Sequence, residues 1–190
     1  MKVFSGTAIL AAGLFAVQPA KAANGLSCMT AEYAQPEQTV LDRNAQARRG
    51  EDGLSRAVFN LIEARGRTCA YLNGWNENTQ RLAVVYRWTT EQWFNRQITA
   101  AFTAEQQSRL RAALEPKKSK LMSSFTKSVE AVAHGWDSPA PVPDAGEFNE
   151  YEALLKAAGI PKDARTVQLL NGWLYTEGFT AALKLAFEAA

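Results

Sequence analysis

The sequence predicts an all-α protein, a single-domain bundle of about seven or eight short-to-medium helices, and three observations carry that reading. Apolar residues recur at three- and four-residue spacing through most of the chain. Helix start and stop signals punctuate those stretches. Alternating runs bounded by turn residues, the mark of half-buried strands, are nearly absent.

The N-terminal segment is expected to be an address and not part of the bundle. Lys2, the apolar run from Val3 to Val17, and Ala20-Lys21-Ala22 together read as a cleavable export signal over residues 1–22. The domain is then residues 23–190. Its first long helix has Pro36 in the opening turn, Val40, Leu41 and Ala45 on one face, and Gly50-Glu51-Asp52-Gly53 as a stop. A second is predicted over 54–65, with Leu54, Val58, Leu61 and Ile62 in a stripe and Gly66 at its end. A third is predicted over 67–88, with Cys69, Leu72, Trp75, Thr79, Leu82 and Tyr86 at helical spacing.

Two capping boxes follow. Thr89 with Gln92 introduces the stripe Trp93, Phe94, Ile98 and Phe102, and Thr103 with Gln106 opens a helix that stops before Pro116. Residues 117–134 carry Leu121, Phe125, Val129 and Val132 as one helix capped by Gly135. Residues 136–148, with Pro139, Pro141 and Pro143, read as an extended strap. Two C-terminal helices complete the domain. One spans 149–158, and the other spans 163–188 with Val167, Leu170, Leu174, Gly178, Ala181 and Leu185 on its stripe.

Composition narrows the functional classes. Net charge is +2 for the whole chain, but Lys2 and Lys21 lie in the export signal, so the remainder is balanced. That removes the general basicity a nucleic-acid-binding domain would carry. Charge is nevertheless uneven, basic over 43–127 and acidic over 128–190, which favours mutual packing of the two portions. No run of 18 apolar residues exists to span a bilayer. The short n-region and Ala-rich core point to a bacterial periplasm as the destination.

Cys28 and Cys69 are the only cysteines, and in an oxidising compartment an even count predicts one disulfide. Closing that loop is worth roughly 4 kcal/mol on the chain-entropy estimate. The single histidine, His134, argues against a metal site and against nucleophilic triads, and no cofactor motif is present. Ser124-Phe125-Thr126-Lys127 matches the Ser-x-x-Lys element of penicillin-interacting serine enzymes. Its partner motifs Ser-Asp-Asn and Lys-Thr-Gly are both absent, which excludes that chemistry.

Three constellations remain. Glu77, in Trp75-Asn76-Glu77-Asn78, is the catalytic candidate for a peptidoglycan-acting enzyme, which needs a glutamate acid in a hydrophobic cleft. Arg109, Arg111, Lys117, Lys118 and Lys120 form the densest basic cluster and a candidate anion site. Leu72-Asn73-Gly74-Trp75 recurs identically as Leu170-Asn171-Gly172-Trp173. Glycine inside a helix costs about 1 kcal/mol relative to alanine, so the echo suggests a close helix crossing at Gly74, Trp75, Gly172 and Trp173. The functional expectation is a non-catalytic, exported binding protein of the inhibitor, immunity or chaperone-like type. Its partner would be an envelope protein or an anionic envelope component.

Overall fold

The computed structural model describes residues 25–46, 52–91, 100–135 and 150–190, with the side chains of residues 45, 46 and 52–55 left aside. The export signal, the stripe Trp93, Phe94 and Ile98 with its capping partner Gln92, and the strap over 136–148 lie outside the described residues. Among those described, the secondary structure is helical throughout, without strands, as the spacing predicts.

Helix α1 (Leu26–Thr30) is a single short turn that buries Met29. Helix α2 (Gln35–Gln46) follows, with Pro36 in its first turn and Leu41 buried. Next come α3 (Asp52–Asn73) and α4 (Glu77–Thr90), which pack on each other. The boundary between them differs from the sequence expectation. Gly66 does not stop a helix; it lies inside α3, and Gly74 is the stop, at φ +68°. The amide of Trp75 donates to Ala70 O at 3.0 Å, so α3 closes in a Schellman turn, which needs a left-handed residue at Gly74. Gly66 serves close approach instead. A Cβ there would sit 2.4 Å from Val84 Cγ2, so α3 and α4 meet where a side chain is missing.

Thr89 also departs from its predicted role. It is buried inside α4, and its hydroxyl donates to Val85 O at 2.8 Å, the bond of a helix-interior threonine. The second capping box holds. Thr103 Oγ1 accepts from the Gln106 amide and Gln106 Oε1 accepts from the Thr103 amide, opening α5 (Ala104–Leu114). A 3-10 turn over Glu115–Lys117 contains Pro116. The single helix predicted over 117–134 is two helices, α6 (Lys118–Ser123) and α7 (Thr126–His134). The chain tightens at Ser124 and Phe125, and this drives Phe125 into the core at 1% exposure.

Helix α8 (Tyr151–Ala158) ends at Gly159 in a second Schellman turn, with Ile160 N donating to Leu155 O at 2.9 Å. Helix α9 (Ala164–Ala189) starts on a capping box between Asp163 and Thr166. It is the central helix and packs on α4, α6 and α7, while α5 packs on α8. Because α9 has neighbours on several sides, its buried set is broader than one stripe: Leu169, Leu170, Trp173, Leu174, Thr176, Gly178, Phe179, Leu183 and Phe187. Leu185, predicted to be core, is 54% exposed. Leu72 fails in the same way, because α3 ends one residue later with that face turned to solvent.

Cys28 and Cys69 form the disulfide, with Cα atoms 5.9 Å apart. It joins α1 to the last turns of α3, whereas the helix predicted over 67–88 would have put Cys69 in a first turn. No described helix is long and apolar enough to cross a membrane.

Candidate functional site

The Schellman turn at Gly74 folds α4 back along α3, and this reversal creates a groove between them. Phe59 and Glu63 face it from α3, one turn apart. Gln80, Arg81, Val84, Val85 and Trp88 face it from α4, at the three- and four-residue spacing of a single helix face. The cavity measures about 390 Å³. Its aromatic end is a T-shaped pair, Phe59 on Trp88, with centroids 5.5 Å apart and planes at 88°.

Charged residues hold the rim. Arg81 pairs with Glu77 and donates to Ala133 O at 3.2 Å, which ties α4 to the end of α7. Glu63 pairs with Arg67 at 3.4 Å along α3. The lining is mostly apolar with a few fixed polar groups, the composition of sites that seat hydrophobic groups. Phe59 is 38% exposed, so a partner can reach it.

The residues singled out from sequence fare differently. Glu77 is the first residue of α4, behind the Asn76 cap, and its side chain is 76% exposed. Trp75 does not wall it. The indole packs edge-on against Phe187, with centroids 5.0 Å apart, and lies against Gly25. Glu77 therefore lacks the hydrophobic cleft that the enzyme reading requires, and its place favours a helix-start and ion-pair role. Ser124 Oγ donates to Leu121 O at 2.6 Å, and His134 is exposed at the end of α7.

Most of the basic cluster is divided among carboxylates. Arg109 pairs with Glu105, Arg111 with Glu177 at 3.6 Å, Lys117 with Glu150, and Lys118 with Glu115 at 3.6 Å. Two of these acids, Glu150 and Glu177, come from the acidic C-terminal portion, so the uneven charge is partly met by internal packing. The helix that carries Lys118 and Lys120, α6, has only six residues and no side-chain cap.

The four-residue echo does not mark a crossing. Gly74 sits in an exposed turn where a Cβ would meet nothing within 4 Å. Trp75 meets Phe187, about 21 Å along α9 from Trp173 at 1.5 Å per residue. The close approaches are at Gly66 against Val84 and at Gly178 against Leu121 and Phe125.

Two groups of residues escaped the sequence reading. Phe59 and Val85 are off the predicted stripes, and nothing short of the α3–α4 reversal brings them together. Tyr33 is the second case. The Arg65 guanidinium lies 3.5 Å from its ring centroid and that of Arg87 lies 5.7 Å away. Arg65 also donates to Ala31 O and Glu32 O, and Arg87 pairs with Glu91 at 2.7 Å.

Burial pushes the Tyr33 phenol above the ordinary tyrosine range, against the opposing pull of Arg65 and Arg87, and burial raises Tyr175 likewise. The folded state then holds these protons more tightly than the unfolded chain does. Stability from them is complete below about pH 10 and falls as pH rises through the raised values. Urea midpoints measured from pH 8 upward should decline above about pH 10 in the wild type and decline less in Tyr33→Phe/Tyr175→Phe. An identical decline in both proteins would refute the assignment.

No known family, curated protein or solved structure matches this chain.

Proposed function

We propose that this protein is an exported, non-catalytic binding protein of the periplasm, and that the groove between α3 and α4 receives an apolar or aromatic side chain of a protein partner. The observation that carries this reading is the half-open Phe59–Trp88 pair at the end of a mostly apolar cavity of about 390 Å³. Aromatic anchors in a preformed pocket are what concentrate binding energy at protein interfaces. Glu63 and Arg81 supply opposite charges at the rim, which orient a partner more than they add affinity. Export matches the apolar run and small-x-small site at the N-terminus. The disulfide suits an oxidising compartment.

A photo-crosslinking residue at position 59, compared with one at exposed position 130, tests the reading in intact cells. The expected result is a discrete protein adduct at position 59 that disappears when Trp88 is replaced by alanine. Equal labelling at the two positions, or adducts indifferent to Trp88→Ala, would overturn it.

A further inference from the structure

Residues 25–34 are attached to the bundle through one short helix and the residues that follow it. Helix α1 has five residues and no side-chain cap at Gly25, far below the length at which a helix is stable alone. It packs on α3 and α4. Its fastenings include four between residues 25 and 33. Met29 is fully buried, with its Cε reaching the α3–α4 contact beside Gly66 and Val84. Cys28 is bonded to Cys69. Gly25 lies under the Trp75 indole, and Tyr33 lies under Arg65. The longer helices also pack on one another without this segment: α9 packs directly on α4, α6 and α7, and α4 packs on α3.

We propose that α1 is a redox-released latch: reduction of Cys28–Cys69 frees residues 25–34 while the bundle stays folded, and uncovers an apolar strip running from Gly66 past Cys69 to Trp75. In the oxidised protein Met29 covers Gly66, Gly25 lies against Trp75, and Cys69 between them is fully buried. The two sulfurs differ in access. Cys69 is fully buried and Cys28 is half-buried, so attack falls on Cys28. A dithiol reductant supplies the chemistry. One of its thiolates bonds to Cys28 Sγ and Cys69 leaves as a thiolate; its second thiol then displaces Cys28. The reductant is oxidised to its own disulfide, two electrons pass to the protein, and two protons end on Cys28 and Cys69. With the covalent tie gone, ten residues must be kept ordered by Met29, Tyr33, the half-buried Leu26 and the contacts to Arg65, Arg87 and Trp75, which is too little to hold them against chain entropy. This inference is independent of the α3–α4 groove, whose lining includes no α1 residue.

Hydrogen exchange read by mass spectrometry on the purified oxidised protein, before and after excess dithiothreitol, is the test. Peptides covering residues 26–33 should lose protection by at least about tenfold, with α4 and α9 unchanged within about twofold. Reoxidation should restore the original pattern. Cys28→Ser should show the reduced pattern without reductant. Retained protection over 26–33 would overturn the latch, by showing that Met29 and Tyr33 suffice. Loss of protection in α4 and α9 together with α1 would also overturn it, making the bond a staple for the whole fold. Failure to recover on reoxidation would count against a reversible device.

Discussion

Trp173→Ala is expected to destabilise the protein by about 3–5 kcal/mol, a fall of roughly 6–20 °C in Tm for a domain of this size. Trp173 is 1% exposed and sits on the central helix, so truncation removes the largest fully buried side chain among the described residues and leaves a cavity that flanking helices can only partly close. The repeated tetrapeptide supplies an internal control. Leu170 is fully buried and Leu72 is 68% exposed, although both precede an Asn-Gly-Trp. Leu170→Ala should cost about 2–5 kcal/mol, while Leu72→Ala should stay within about 0.5 kcal/mol of wild type. Thermal or urea unfolding of the three variants checks the ranking. Comparable losses at Leu72 and Leu170 would mean the two copies are equivalent after all, contrary to their placement.

Gly178→Leu should be nearly as damaging, at about 3 kcal/mol, and Gly178→Ala should also destabilise. The sign is the informative part. Alanine is the better helix former by about 1 kcal/mol, so propensity alone predicts a gain inside α9. A Cβ at position 178, however, would lie 2.6 Å from Phe125 Cε2 and 2.7 Å from Leu121 Cγ. Phe125 is hemmed in by Tyr175 and Phe179, with ring centroids 5.5 and 5.6 Å away, so it has little room to retreat. Overpacking therefore wins. Combining Gly178→Ala with Phe125→Leu should recover part of the loss, as expected for directly coupled neighbours. Urea midpoints decide it: a Gly178→Ala protein more stable than wild type would show that α9 can move away from α6 and α7.

Much of the fold was legible because helix signals are local. The Thr103–Gln106 box, the stop before Pro116 and the glycine after Ala158 each work through hydrogen bonds within a few residues. Glycine was where local reading failed. Gly66, Gly74 and Gly178 look alike in sequence, yet one lets α4 approach, one takes a left-handed turn and one admits Phe125 and Leu121. Only the neighbours decide among these uses. Thr89 was misread for a related reason, since a threonine hydroxyl can bond back inside a helix as readily as it caps one. Among the candidate sites, Glu77 and the basic cluster were visible as residue types. The pair of Glu77 with Arg81 is local, at i,i+4, whereas the pairs of Arg111 with Glu177 and Lys117 with Glu150 were not visible, because those two acids come from distant segments.

What the sequence determined by itself was the all-α class and the pairing of two cysteines, one by periodicity and the other by count. The export signal is a reading of residues 1–22 alone. Tertiary structure decided which faces are buried, where α3 ends and therefore where the α3–α4 groove lies. The physical reason is that the groove depends on a chain reversal at Gly74, which places Phe59 beside Trp88 across a gap in sequence that no helical period records.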